Sequence, residues 1–233
     1  MSITSTKFAP APDGYVSKNG TTWSATRDAG TGTSAGPNST NRASAVLAYH
    51  TAGRGGDTFT VSRAFFSFDT SKFKTTPASA RLLIRGRLNG DADVIAVKAT
   101  APDLSTDIAV ADFDAITGFS AGNSMNGNVT DYSSELTTWN TSGYNSFILN
   151  AAALADIVSL DVFAVAIVQY DNDYLNVAPS EVSLDAGMYF NEGGGGTAPK
   201  LQIVYGNSIN DVAAGDLGNV MDVDENLANV SDV

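Results

Sequence analysis

The chain has 233 residues, 43% of them hydrophobic, a length that allows one large β-domain or two small ones. It contains no cysteine, which excludes disulfides and thiolate metal sites, and its net charge of -12 disfavours nucleic acid and anionic membranes as partners. Met1 to Pro12 lacks an apolar signal region, and no apolar run approaches the roughly 18 residues of a spanning helix. We therefore expect no signal peptide and no membrane anchor.

The first part of the chain, up to about Arg42, is rich in residues that favour turns and loops. We predict that residues 1–12 form an amino-terminal arm. The run Lys18-Asn19-Gly20 predicts a hairpin-type turn, and residues 29–40 are nearly all Gly, Ser, Thr, Ala, Asn and Pro. A stretch of this composition cannot build a core, so we expect it to wrap around a scaffold or to stay mobile.

Seven later segments are short, apolar or alternating, and bounded by turn residues, which is the pattern of β-strands. They are Ser44–His50, Thr58–Asp69, Ala80–Leu88, Val94–Thr100, Asn145–Leu149, Val162–Tyr170 and Leu201–Tyr205. Between the fifth and the sixth, Ala151 to Leu154 are good helix formers behind Asn150, which can cap them. The sequence therefore predicts an all-β protein, an antiparallel β-sandwich of the jelly-roll type at residues 13–205 with one short helix.

The tail, residues 206–233, differs in composition from the rest of the chain. It carries six carboxylates and no Lys or Arg, so half of the excess negative charge lies there. An aliphatic-x-Asp-Val pattern occurs three times, eleven and then ten residues apart, with its aliphatic positions at Ile209, Val212, Val220, Val223, Val230 and Val233. A disordered acidic tail is one interpretation. The regular spacing favours a second, a segment that docks on another subunit, because short repeats usually need a neighbour to bury their apolar face.

Three motifs carry a resemblance to a known family. They are RAFFSFD at Arg63–Asp69, ASARLLI at Ala78–Ile84, and YFNE at Tyr189–Glu192 with a glycine loop and APKLQIVY at Ala198–Tyr205. In order and spacing they resemble the DNRLRE family of β-sandwich modules, which look like carbohydrate-binding jelly rolls. The resemblance implies a scaffold without catalytic residues; residues 107–139 depart from it. Alternation in the first motif predicts that Phe66 and Phe68 face the core.

The repeats after Gly206 are similar to the endings of many phage tail and virion proteins. This likeness implies a non-enzymatic structural protein of a bacteriophage particle, made in the host cytoplasm and assembled into the virion. Capsid decoration, head fibre and tail fibre are the roles that it suggests. Its partners would be other virion proteins and further copies of itself, as a homo-oligomer.

The chain offers few residues for catalysis or metal binding. His50 is the only histidine, which excludes a multi-histidine metal site, and we expect it at a solvent-facing strand end. The carboxylate pairs Asp112 with Asp114 and Asp171 with Asp173 fit solvated turns better than a glycosidase. Asp171-Asn172-Asp173 with Asn176 could supply oxygen ligands to a structural calcium, although a polar turn is the simpler interpretation. We expect no cofactor.

Residues 193–196, four glycines before a strand, predict a flexible hairpin tip rather than a phosphate loop. Aromatic residues in loop-like sequence could instead stack on sugar rings. These candidates for glycan contact are Trp23, Trp139, Tyr132, Tyr144 and Tyr174. A carbohydrate-binding module for host-surface glycans is therefore the second hypothesis, and a glycosidase the third.

Overall fold

The computed structural model describes residues 3–10, 12–194 and 196–206, which form an antiparallel β-sandwich. The strands are β1 (Ile3–Phe8), β2 (Gly14–Gly20), β3 (Ser34–Pro37), β4 (Asn41–Thr51), β5 (Thr58–Asp69), β6 (Ser79–Gly90), β7 (Val94–Lys98), β8 (Tyr144–Ile148), β9 (Val162–Gln169), β10 (Leu184–Tyr189) and β11 (Lys200–Tyr205). Two α-helices accompany them in the described ranges, α1 (Trp23–Arg27) and α2 (Ala151–Ser159). The predicted all-β class is confirmed. Within the described ranges, no helix is long and apolar enough to cross a membrane.

Four strands form the first sheet, in the order β1-β11-β6-β8. The second sheet is built around β5, which pairs with β2 along one edge and with β4 and then β9 along the other. Strand β6 belongs to both layers, because Arg81–Arg85 pair with β8 whereas Gly86 and Gly90 pair with β10. This shared strand joins the two sheets along one side of the sandwich.

Two apolar cores lie on opposite faces of β5 and β9. The larger one, between the sheets, contains Phe66 and Phe68, both fully buried. The smaller one contains Phe65 and is covered by residues 108–129, which contribute Phe113 among others. Alternation along β5 therefore sends neighbouring phenylalanines to different cores. The predicted direction of Phe66 and Phe68 is confirmed.

The amino-terminal part contains more strand than its composition predicts. β1, in the predicted arm, pairs with β11 throughout its length, and β3 lies in the predicted loop at 29–40 and pairs with β2. Lys18, Asn19 and Gly20 are the end of β2 and pair with β5, so the predicted hairpin turn is wrong. The reason is that a long neighbouring strand supplies ladder partners that local composition does not reveal.

The predicted helix is confirmed as α2, and its cap is the expected one. Asn150 Oδ1 accepts a hydrogen bond from the Ala153 amide at 3.1 Å, and the helix buries Ala153 and Ile157. The sequence predicted a single short helix, but the structure contains a second one, the five-residue α1, which begins after Thr22. The Thr22 hydroxyl caps the Ala25 amide at 3.3 Å.

The residues predicted to dock the tail lie outside the described residues. They are Ile209, Val212, Val220, Val223, Val230 and Val233. Their role stays a prediction.

Candidate functional site

A buried ion network fixes the turn that follows β9. Arg63 on β5 donates from Nε and Nη2 to the two carboxylate oxygens of Asp173, each at 2.7 Å. Arg27 Nε lies 3.4 Å from the same carboxylate, and all three side chains are fully buried. The Arg63 guanidinium also stacks on Phe113 at 4.2 Å from the ring centre. The turn is thereby anchored to β5 and α1.

The anchored turn, Tyr170–Tyr174, is a single π-helical turn. Gln169 Oε1 accepts hydrogen bonds from the amides of Asn172 and Asp173, at 2.6 and 3.3 Å. The rings of Tyr170 and Tyr174 stack with their centres 5.1 Å apart. Asp173 points into the protein, whereas Tyr170 and Tyr174, four residues apart on the helical turn, both line an open cleft.

This cleft, which we call the tyrosine cleft, has a volume of about 460 Å³. Its lining is mostly polar: Ile95, Asn126, Asp131, Ser133, Ser134, Glu135, Asn150, Tyr170 and Tyr174. The Tyr174 hydroxyl donates to Asp131 Oδ2 at 2.8 Å, whereas the buried Asp131 Oδ1 has no hydrogen-bond partner among the described residues. Burial raises the pKa of the Asp131 carboxyl, and the Tyr174 hydrogen bond partly offsets this.

Three carboxylates meet at the edge of the tyrosine cleft. Ligand atoms of Asp93, Glu135 and Asp171 lie within 4.8 Å of one another. Burial raises the pKa of Glu135, and the adjoining Asp93 and Asp171 raise it further. Burial and the charge of Asp93 likewise raise the pKa of Asp171. A divalent cation could be held by these oxygens, which are the ligand type that calcium prefers.

The calcium ligand set predicted from sequence is not assembled. Asp173 is bound by two arginines, and the side-chain oxygen Oδ1 of Asn176 accepts a hydrogen bond from Trp23 Nε1 at 3.0 Å. Only Asp171 of the predicted set joins the carboxylate group. Asp93 and Glu135 come from distant parts of the chain, so no local motif could have indicated them.

The five aromatic candidates for glycan contact lie in different parts of the sandwich. Only Tyr174 lines the tyrosine cleft. Tyr132 and Trp139 are buried in the main core, so their rings are closed to a sugar, contrary to the expectation of loop exposure. Trp23 packs at the smaller core, and Tyr144 lies on the first sheet. The five therefore do not form one binding surface.

The other sequence candidates occupy structural positions. His50, one residue before the end of β4, stacks on Phe59 with ring centres 4.5 Å apart and is only partly exposed. Asp112 Oδ2 accepts from the Ala109 amide at 2.8 Å in a short loop helix. The described glycines of residues 193–196 precede β11. The amides of Gly193 and Gly194 donate to the carbonyl oxygens of Phe190 and Asn191 and so form a turn.

A second candidate site is the outer face of the first sheet, which we call the basic face. Its four strands contain no Asp or Glu, although the chain carries a net charge of -12. Outward positions of β6 and β11 hold its cations: Arg81, Arg85, Arg87 and Lys200. Apolar side chains lie among them, with Phe8 50% and Ile148 68% exposed.

The cations of the basic face lack acidic partners. No described residue forms an ion pair with Arg81, Arg85 or Arg87. Lys200 Nζ lies over the rings of Phe8 and Tyr144, at 5.5 and 4.4 Å from their centres. A flat, acid-free surface with large exposed apolar groups is typical of a site that receives another protein segment.

A buried carboxyl pair lies at the start of β2. Asp13 is fully buried and accepts a hydrogen bond from the Asn191 amide at 3.0 Å. The Glu192 carboxylate lies within hydrogen-bonding reach of it, and both Glu192 oxygens find no N–H donor among the described residues. Burial, and then the charge of Glu192, raise the pKa of Asp13 to about 9. Asp13 therefore keeps its proton at neutral pH.

The protonated Asp13 gives a pH dependence to stability. Its pKa rises on folding from 3.8 to about 9, so between these values the folded chain binds more protons than the unfolded chain. Stability is then highest at the acidic end of this window and falls as pH rises through it. We expect Asp13→Asn to flatten this fall and to raise the melting temperature at pH 8, because the amide is neutral at every pH. Urea unfolding at pH 5, 7 and 9 measures the stability of both proteins. If stability fell equally with pH in the natural chain and in Asp13→Asn, the prediction would be contradicted.

Comparison of the chain with protein-family models and with curated proteins finds no match. The likeness to the DNRLRE family and to phage virion proteins therefore stays a prediction.

Proposed function

We propose that the chain is a non-enzymatic structural protein of a bacteriophage particle, a decoration or fibre component that assembles through its sandwich and its tail. The observation that supports this best is the basic face, an acid-free surface on an acidic protein. Such a surface is complementary to a partner that carries both carboxylates and apolar side chains. We propose a phage particle as the assembly because the tail repeats are similar to the endings of virion proteins.

The tail residues give the direct test of assembly. Replacing Val220, Val223 and Val230 by Ser removes aliphatic contacts, each worth about 1.5 to 3 kcal/mol when buried against a partner, before ordering costs. We expect the triple variant to leave the oligomer or the particle while its thermal transition is retained. Sedimentation velocity and incorporation into purified virions measure the loss.

A matched control replaces exposed valines of the sandwich by Ser. Val110, Val177 and Val182 are 38%, 53% and 63% exposed. This control triple should assemble normally. Normal assembly of the tail triple as well would contradict the proposal and favour a tail that only increases solubility.

The tyrosine cleft supports a second candidate function, the binding of host-surface glycans. Stacked rings beside carboxylates, amides and hydroxyls are suited to the apolar faces and hydroxyl groups of sugars. If this function holds, Tyr170→Ala should abolish binding on a glycan array, while Tyr189→Ala, in β10, should retain it. Equal binding by both variants, or no array signal from the natural chain, would contradict a glycan site here.

A further inference from the structure

The basic face and the tail have complementary chemistry. The face has cations, exposed apolar groups and no carboxylate, whereas the tail has six carboxylates, regularly spaced aliphatic residues and no cation. The aliphatic-x-Asp-Val unit combines in four residues the two kinds of group that the face would receive. Each surface is therefore deficient in the groups that the other supplies.

We propose that the tail of one copy, residues 207–233, docks on the basic face of a second copy of the chain. This rests on the proposed function in that it names the partner through which the tail assembles. Carboxylates of the tail pair with Arg81 and Arg85, and its aliphatic residues cover Ile148 and Phe8. The contact is heterologous, because the tail of one copy meets the basic face of another. Each copy can therefore donate its tail to one neighbour and accept the tail of a second.

Chain length and the number of units favour a second copy over the same chain. The first sheet has strands of about six residues, which gives a face roughly 20 Å long and about 15 Å wide. The 27 residues after Gly206 can span at most about 90 Å. A repeat of ten or eleven residues spans about 35 Å when it is extended, which is longer than one such face, so an extended tail that engages all three units needs the faces of other copies.

Charge also favours this site over the rest of the sandwich surface. Two cations elsewhere on the sandwich already have acidic partners: Lys74 pairs with Asp161 at 3.2 Å and Lys98 with Asp156 at 2.9 Å. Arg81 and Arg85 form no such pair with the described residues. The basic face therefore offers an acidic segment unpaired arginines on strands that carry no carboxylate.

Single-cysteine variants test the contact directly, because the chain has no cysteine of its own. One copy carries Ile148→Cys on the face, and a second, distinguished by a mass tag, carries Val212→Cys, Val223→Cys or Val233→Cys in the tail. Mixed at equal concentration under mild oxidation, at least one pair should give a mixed-tag disulfide dimer. Val182→Cys, 63% exposed but off the face, is the control partner and should give at least about fivefold less.

The same assay distinguishes docking on a second copy from docking of the tail on its own sheet. A chain with Ile148→Cys and a tail cysteine together would close a disulfide within one monomer if the tail docked on its own sheet. Intramolecular closure combined with no mixed dimer would overturn the proposal. Equal yields with the Ile148→Cys and Val182→Cys partners would overturn it too, by showing random collision.

Charge reversal tests the energetic basis of the contact. Arg81→Glu with Arg85→Glu should lower the mixed-dimer yield at least about fivefold, and raising the salt from 0.05 to 0.5 M should also weaken it. Lys18→Glu with Arg54→Glu changes the net charge by the same amount away from the face and should leave the yield unchanged. Equal effects of the two double variants would overturn the proposal.

Failure of this inference is distinguishable from failure of the proposed function. If the tail triple valine variant leaves the particle but face reversal has no effect, the chain assembles through its tail on a different protein. If neither change affects incorporation, the proposed function fails as well.

Discussion

Asp173→Ala is expected to lower the free energy of unfolding by about 3 to 5 kcal/mol, because it leaves the buried Arg63 without a carboxylate partner and the buried Arg27 with Asp28 alone. Arg63 would lose both of its 2.7 Å hydrogen bonds, and Arg27 would lose an ion pair at 3.4 Å. Urea unfolding with a far-ultraviolet signal measures the change.

An exposed ion pair supplies the matched control. Asp161 is 76% exposed and pairs with Lys74 at 3.2 Å, so Asp161→Ala should cost less than about 1 kcal/mol. Equal losses in the two variants would contradict a stabilising role for the buried network. Tyr170 and Tyr174 should also change their fluorescence in Asp173→Ala, because the turn that carries them loses its anchor.

Phe66→Ala is expected to cost about 3 to 5 kcal/mol by opening a cavity between the sheets. Phe66 is fully buried, stacks on Phe190 with ring centres 5.6 Å apart and pairs with Val165 of β9, so the core loses contacts on both sides of the ring. Phe68→Ala should lower the free energy of unfolding by a similar amount. Thermal and urea unfolding measure both.

Phe8→Ala removes the same ring from a half-exposed position on the basic face and serves as the control. It should change stability by less than about 1 kcal/mol. If Phe66→Ala and Phe68→Ala changed it as little, the register of β5 would be wrong.

The sequence predicted the strands whose signal is local. β5 has the predicted bounds, because β-branched and aromatic residues fill it between clear turn residues. β2 was missed, since its Lys, Asn and Gly resemble a turn and only pairing with β5 makes it a strand. β10 was missed because Asp185 and Gly187 interrupt it. A Cβ at Gly187 would lie 1.8 Å from the Arg87 carbonyl oxygen, so close packing against β6 requires the glycine.

The candidate sites, like the strands, are partly visible in the local sequence and partly dependent on the fold. The alternation of Arg81 and Arg85 with Leu82 and Ile84 already indicates a cationic outer face in a single strand. The absence of acid across four strands becomes visible only when the sheet order is known. The carboxylate group at the edge of the tyrosine cleft, Asp93, Glu135 and Asp171, comes together only through long-range contacts that no local pattern predicts.

The pairing of β1 with β11 determines how the sandwich responds to mechanical load. Ile3 lies opposite Tyr205, so the start of β1 and the end of β11 meet at the same corner of the first sheet. A force that separates these two points loads one residue pair of the ladder at a time, and the strands unzip from that corner. The same force directed along β11 from its tail alone loads its ladders with β1 and β6 together, in shear. A load applied through the carboxyl end of β11 along the strand would therefore strain both ladders at once rather than one residue pair at a time.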